Sequence, residues 1–499
     1  MNLAETLLAA GSEHRIALEC GARQLAYGEL RDAVRRAAGA WRQLGLRADQ
    51  RVLVWAPDGI AWVIAYLGAI AAGGVAVGLN SRLFEQELGI ILAESGARFI
   101  WCEADALPLL SRLYAGVVGE PPALVVGGAA DSDWERRLAD APARDAVSRR
   151  PEDMALWIYT SGTTGRPKAV VHAQRAVDGC AAFAQQVLRL DPADRLYATS
   201  KLFFAYALAN SLFAGLKLGC SVILDGEWPT ARRVAEICER HRPSVLFSVP
   251  TLYHKIVQGG WATRLPAAGV RQYVSAGESL PASVRQALEA AAGVPVMSGF
   301  GTSETMCLML YSTDASGILR PAPMAEIRDD PAPAGEDEGI PRRLWIRHPS
   351  MALGYWQLSA LQAQGDFAAG WFSPGDLFVP HGDEPAAWGF SGRTDDMLKI
   401  SGQWVSTIAV DQALLAACGD SVQELGSVAA RNAQGLTEIA VFVVPAEGRA
   451  EEARLQLTAG IEALPGFKRP RRIRFVDSLP RTATGKLQRS KLAGLLQES

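Results

Sequence analysis

The chain has 499 residues, 49% of them apolar and 21% charged, with a formal net charge of −3. The length predicts about two to four domains, and the near-neutral balance gives no reason to expect a nucleic-acid or anionic-membrane partner. Seven cysteines without Cys-x-x-Cys spacing and six dispersed histidines speak against a disulfide framework or a zinc site, and for reduced thiols in the cytoplasm.

In chain order, the N-terminus Met1-Asn-Leu-Ala-Glu-Thr6 carries an early acid and lacks the pattern of a signal peptide. Residues 60–79 hold no charge and imitate a membrane span. Gly73-Gly74 and the weakly apolar Ala and Gly content predict instead a buried helix from about Ile60 to Ala72, then a strand Val75–Val77. Further apolar runs read as strands: Arg51–Trp55, Ala97–Trp101, Ala123–Val126, Ser221–Leu224, Ser244–Phe247 and Arg271–Ser275. Between them Ala176–Leu190, Thr230–His241 and Pro281–Ala292 read as helices. This alternation predicts an α/β fold with helices covering largely parallel sheets.

The run Tyr159-Thr-Ser-Gly-Thr-Thr-Gly-Arg-Pro-Lys168 lies between two apolar segments, as strand, loop, strand. Glycines let a backbone bend closely around a ligand. Hydroxyls, free N–H groups and one ammonium suit polyphosphate oxygens or a phosphate-bound metal. The spacing is not that of a Walker loop. Residues 314–341 are rich in Pro, Asp, Glu and Gly and read as loops with short strands, with a strand resuming at Leu344-Trp-Ile346. A boundary near 394 divides a large domain, 1–394, from a small one, 395–499. The latter reads as helix 409–417, strand 438–444, helix 449–464 and strand 472–476, enough for its own core.

Further motifs follow in a set order: Phe203-Phe-Ala-Tyr206 after Lys201, Ser275-Ala-Gly-Glu278, Gly299-Phe-Gly-Thr-Ser-Glu304, Trp371-Phe-Ser-Pro-Gly-Asp376, Gly392-Arg-Thr-Asp-Asp-Met-Leu-Lys-Ile-Ser-Gly402 and Pro480-Arg-Thr-Ala-Thr-Gly-Lys486. With the loop at 159–168, this ordered set resembles the adenylate-forming superfamily of acyl- and aryl-CoA ligases, adenylation domains and luciferases. The resemblance covers nearly the whole chain. It implies a large N-terminal domain of layered sheets and helices and a small mobile C-terminal α+β domain carrying a catalytic lysine. It also implies ATP, Mg²⁺ and coenzyme A as cofactor and co-substrates.

The chemistry explains why such residues are needed. A carboxylate is a poor electrophile; attack on the α-phosphate of ATP gives an acyl-adenylate, from which a thiol displaces AMP. The first step brings anions together, so cations must offset their repulsion. By the family pattern Thr160, Ser161, Gly162, Thr163, Thr164, Gly165 and Lys168 hold the phosphates. Glu304, with Thr160, ligates the metal, and Ser303, where Thr is usual, contacts the α-phosphate. Phe300 packs on adenine, while Asp376 and Arg393 grip the ribose. Lys486 supplies the charge central to adenylation. Asp395 is the hinge about which the small domain turns, and Ser401-Gly402 lines the coenzyme A tunnel.

Within the superfamily, Lys201-Leu-Phe-Phe-Ala-Tyr-Ala-Leu-Ala-Asn210 looks like the benzoate–CoA ligase branch. That likeness assigns Phe204, Ala205, Tyr206, Ala276, Gly277, Glu278, Gly299 and Cys307 to the aryl-acid pocket, an aromatic wall and small residues suiting a flat ring. Related ligases commonly carry His at the Cys307 position and glycines at Ala207 and Ala209, so the ring substituent stays open. So do a homodimer, a carrier protein in trans as thiol acceptor, and a catalytically silent nucleotide-binding regulator. Cys418-Gly-Asp-Ser-Val422 faintly imitates a carrier's attachment serine and is taken as coincidence.

Overall fold

A computed structural model describes residues 1–116, 120–161, 166–314, 316–330, 341–357, 367–381, 386–393, 397–400, 403–432, 436–481 and 487–496. Two compact units emerge: Met1–Ile327 with Trp345–Pro374, and Arg328–Leu344 with Gly375–Ser499. Compactness thus groups residues 375–393 with the second unit, whereas the sequence placed them in the large domain.

The first unit is α/β, as expected. In one sheet Met154–Ser161, Val75–Gly78, Arg51–Trp55, Phe99–Cys102 and Ala123–Val126 run parallel, and Pro167–Ala173 pairs antiparallel with the first of them. In a second, Val296–Phe300, Gln272–Ala276, Val245–Ser248, Arg195–Ala198, Ser221–Leu224 and Ile16–Cys20 are adjacent and parallel. Strands such as Val75–Gly78 and Phe99–Cys102 are buried along their whole length. Both faces are covered, so these strands read as continuous apolar runs.

The charge-free stretch is the helix Ile60–Ala71 followed by the strand Val75–Gly78. Nearly every residue of that helix is buried in the protein core. It packs against the helix Tyr27–Gln43 so closely that a Cβ on Gly68 would fall 2.3 Å from the Cβ of Ala37. No described helix is long and apolar enough to cross a membrane. The helix Ala231–His241 begins where Thr230 accepts a hydrogen bond from the Arg233 N–H and buries Val234, Ala235, Cys238 and His241, spaced for one helical face. The expected helix 176–190 is instead two short ones, Ala176–Cys180 and Ala182–Gln186. The His348 ring fills the space beside Gly179: a Cβ there would lie 2.3 Å from Cε1.

In the second unit Val422–Arg431, Thr437–Pro445 and Arg472–Phe475 form a sheet, with helices Thr407–Cys418 and Ala450–Ala463 alongside. The sequence reading missed the long strand Val422–Arg431, whose Gly, Ser and Ala centre shows no alternation. A tertiary bond holds it: buried Asp411 accepts the Ser427 N–H at 2.7 Å and an Arg489 N–H at 2.8 Å.

Candidate active site

Open parallel sheets bind ligands beyond the carboxyl ends of their strands. Two neighbouring strands of the second sheet carry residues expected to form the acid pocket at their carboxyl ends. Ala276 closes Gln272–Ala276 and lies in register with Gly299 of Val296–Phe300. Gly277 follows with φ +91°, a left-handed conformation that glycine tolerates, and leads to Glu278. Thr251, just past Val245–Ser248, donates to Glu278 Oε2 at 2.7 Å. Past Arg195–Ala198 come Phe204, Ala205 and Tyr206. The Tyr206 hydroxyl donates to the Val274 carbonyl at 2.9 Å, and its ring meets Phe247 edge-on. Burial pushes that phenol up, so it stays a donor. Gly299 is closely packed: a Cβ there would lie 2.6 Å from a Leu308 methyl, which would have to turn aside.

Cys307 is buried, and its sulfur lies 3.7 Å from that of Cys180. Phe300 ends its strand half-buried, its carbonyl accepting the Met309 N–H at 2.8 Å. Between them the chain turns through Ser303 and Glu304. Met306 takes φ +63°, a conformation costing about 1–3 kcal/mol for a non-glycine residue. Its N–H donates to the Thr302 carbonyl at 3.0 Å, and its side chain is buried.

This turn is tied to the strand leaving the phosphate-type loop. Thr160 and Lys168 face each other across the antiparallel pair. Four residues beyond Lys168, buried His172 contacts the Ser303 carbonyl through Nε2 at 2.8 Å and the Ser350 carbonyl through Nδ1 at 3.2 Å. Burial lowers His172 to about 4, so the ring is neutral and has one N–H, which belongs on the shorter contact. Tyr355 OH donates to Glu304 Oε1 at 2.8 Å, and the Lys168 ammonium stands 5.6 Å over the Tyr355 ring. Thr160, Lys168, Ser303 and Glu304, dispersed in sequence, are thus gathered. Tyr355 and His172 were not anticipated. The pair Gly354-Tyr355 and a histidine close behind the loop were the available signals.

In the second unit Asp376 and Arg393 are register partners on antiparallel strands Asp376–Pro380 and Trp388–Arg393. Asp376 is buried and Arg393 exposed. Gly375 takes φ +73°, a left-handed conformation that favours glycine, just before Asp376. Ser421, of the carrier-like run, is fully buried, its hydroxyl 2.7 Å from the Cys418 carbonyl and 2.6 Å from Gln456 Oε1, either of which can accept its one hydrogen. Gly162, Thr163, Thr164, Gly165, Asp395, Ser401, Gly402 and Lys486 lie outside the described residues, as does the side chain of Ser161.

Among the described residues no group of three or more His, Cys, Asp or Glu side chains is gathered to cage a metal. The donor set fits Mg²⁺ carried by a nucleotide, which needs one or two protein carboxylates while phosphates and water complete its shell. Glu304 accepts the Tyr355 hydroxyl on Oε1, and its second carboxylate oxygen is the one that would serve such an ion.

Comparison with known proteins follows this geometry. Residues 8–356 match the AMP-binding enzyme family and residues 410–486 the AMP-binding enzyme C-terminal domain. The chain belongs to the AMP-binding enzyme family. It is 37% identical to 3-hydroxybenzoate–CoA ligase of Aromatoleum sp. strain CIB, over 100% of this chain and 97% of that protein. It is 36% identical to 3-hydroxybenzoate–CoA/4-hydroxybenzoate–CoA ligase of Thauera aromatica, over 100% and 98%. The crystal structure of the anthranilate CoA ligase AuaEII with anthranoyl-AMP superposes with a TM-score of 0.90 at 27% identity, over 100% and 98% of the two chains.

Proposed function

We propose that the chain is an acid–thiol ligase that activates a benzoate-type acid with ATP and transfers the aryl group to coenzyme A. The observation that carries this reading is the shared carboxyl edge, where Tyr206, Ala276–Glu278 and Gly299 border the turn bearing Ser303 and Glu304. The aryl-acid ligases to which the chain is similar support the same reading. Hydroxybenzoates are the first substrates to try, because both of those relatives carry hydroxybenzoate in their names.

In the first step a carboxylate oxygen attacks the α-phosphorus, the bond to the β-phosphate oxygen breaks, and pyrophosphate leaves. The 159–168 loop and Lys168 hold the phosphates, and Ser303 donates to the α-phosphate. Glu304, with Thr160, holds Mg²⁺, which when bound offsets phosphate charge. Asp376 accepts from the ribose hydroxyls beside Arg393, and Phe300 packs on adenine. The Lys486 ammonium stabilises charge developing between carboxylate and phosphate. In the second step the coenzyme A sulfur attacks the acyl carbon, its proton passes to solvent, and AMP leaves. Asp395 is the pivot between the steps, so residues 395–499 form the mobile domain, and Ser401-Gly402 borders the thiol's path. Phe204, Ala205 and Tyr206 wall the ring, and Cys307 packs behind it against Cys180. The seven free cysteines support a reducing, cytoplasmic setting.

The test is pyrophosphate release with a panel of hydroxy-, amino-, chloro- and unsubstituted benzoates, ATP and Mg²⁺, followed by aryl-CoA detection. Absence of any aryl-adenylate across the panel would sink the proposal. Adenylate without turnover by free coenzyme A would move the acceptor to a carrier protein.

A further inference from the structure

Glu304 stands on a turn whose backbone is closed by local bonds, the Thr302 N–H to Thr305 Oγ1 at 2.9 Å and the Met306 N–H to the Thr302 carbonyl at 3.0 Å, but none of these bonds holds the glutamate side chain. A glutamate side chain has three rotatable torsions, so some other group must aim it. The segment 352–356 touches it twice. The Ala352 N–H donates to the Glu304 carbonyl at 2.8 Å, and Tyr355 OH donates to the carboxylate Oε1 at 2.8 Å. That segment is itself locked onto the strand leaving the phosphate-type loop. Gly354 and Tyr355 pair with Val171 and Val170, and the Leu353 and Trp356 N–H groups donate to Val171 and Ala169. The Tyr355 ring is 9% exposed and packs edge-on against Phe367 at 5.6 Å, so its hydroxyl has little freedom. Its face lies under the Lys168 ammonium, within range of a cation–π attraction.

We propose that Tyr355 is the positioning residue that aims the Glu304 carboxylate at the nucleotide-borne cation. It occupies Oε1 and leaves the other oxygen for the metal, while its ring ties that choice to Lys168. The inference rests on the proposed role of Glu304 as metal ligand. A phenylalanine at this position would keep the strand pairing, the edge contact and the face beneath Lys168, and would lose the bond to the carboxylate. Partners of this kind, one bond removed from a metal, typically change metal affinity about 10–100-fold.

The experiment uses the full chain as wild type, Tyr355→Phe, Glu304→Gln and the double variant. Mn²⁺ binding in the presence of a non-hydrolysable ATP analogue is followed by electron paramagnetic resonance. Tyr355→Phe is expected to weaken Mn²⁺ by about tenfold and Glu304→Gln by at least as much. The double variant should bind as Glu304→Gln does, because Tyr355 acts only through that carboxylate. The melting temperature of Tyr355→Phe should stay within about 2 °C of wild type. Unchanged Mn²⁺ affinity in Tyr355→Phe, whatever its melting temperature, overturns the proposal while leaving Glu304 as ligand. A further additive loss in the double variant also overturns it. If Glu304→Gln binds Mn²⁺ as wild type does, the role of Glu304 fails first and that of Tyr355 with it.

Discussion

His172 and Ser303 are joined by an imidazole-to-carbonyl contact of 2.8 Å. This contact fastens the strand behind one motif to the turn that carries another. The ring is enclosed and held neutral down to about 4. An unfolded histidine titrates near ~6.5, so between these values the unfolded chain binds more protons than the folded one. Stability therefore falls as pH drops through that window, by up to about 3 kcal/mol for this group, and is unaffected by it well above the window. Urea midpoints at about pH 7 and about pH 4.5 should converge in His172→Gln relative to wild type. An unchanged pH slope in that variant would show that His172 is not the group responsible.

Gly301 tests how tightly the turn is built. A Cβ there would fall 2.5 Å from the Cys307 carbonyl oxygen, a backbone atom that cannot swing aside. Gly301→Ala is expected to cost about 1–3 kcal/mol, read as a lower denaturant midpoint. At Gly299 the obstructing atoms are the movable methyls of Leu308. Gly299→Ala should therefore fold, and lose kcat/KM more for ring-substituted benzoates than for benzoate itself.

Asp376 and Arg393 lie opposite each other on neighbouring strands, which suits a joint grip on a diol. Asp376→Asn should raise the ATP KM by about ten- to a hundredfold, the range for hydrogen bonds to a charged group. Isotope exchange between pyrophosphate and ATP measures it. A KM within twofold of wild type would remove Asp376 from the ribose site.

On the proposed mechanism, variants of Lys486 and Asp395 are expected to separate the half-reactions. Lys486→Ala should slow adenylation by about 10²–10³ and leave transfer from preformed aryl-adenylate to coenzyme A nearly intact. Asp395→Pro should do the reverse, since a fixed φ obstructs the pivot. Single-turnover rates of the two steps provide the comparison, and equal losses in both steps for either variant would count against a rotating domain.

Much of this protein is local and therefore legible in the chain. Strands Arg51–Trp55, Ala123–Val126 and Ser221–Leu224 have the expected bounds; the first and third are largely buried and so read as apolar runs, while Ala123–Val126 is an edge strand whose apolar run is partly exposed. The apparent membrane span was resolved the same way, by Gly73-Gly74 and the modest hydropathy of Ala and Gly. The ordered motifs carried the family as well, since phosphate, ribose and ring each demand particular side-chain chemistry. What the chain alone could not show depends on contacts between distant segments. The strand Val422–Arg431 is held by Asp411 and by its sheet partner, and its own residues carry no alternation. The His348 ring packed beside Gly179 comes from a distant segment of the chain. Tyr355 and His172 belong to no catalytic motif, and their importance arises only when strand pairing sets them against Glu304 and Ser303. Sequence determined which chemical groups the protein possesses. Tertiary structure decided which of them meet, because aiming a carboxylate takes hydrogen bonds from residues that only the folded sheet brings within 3 Å.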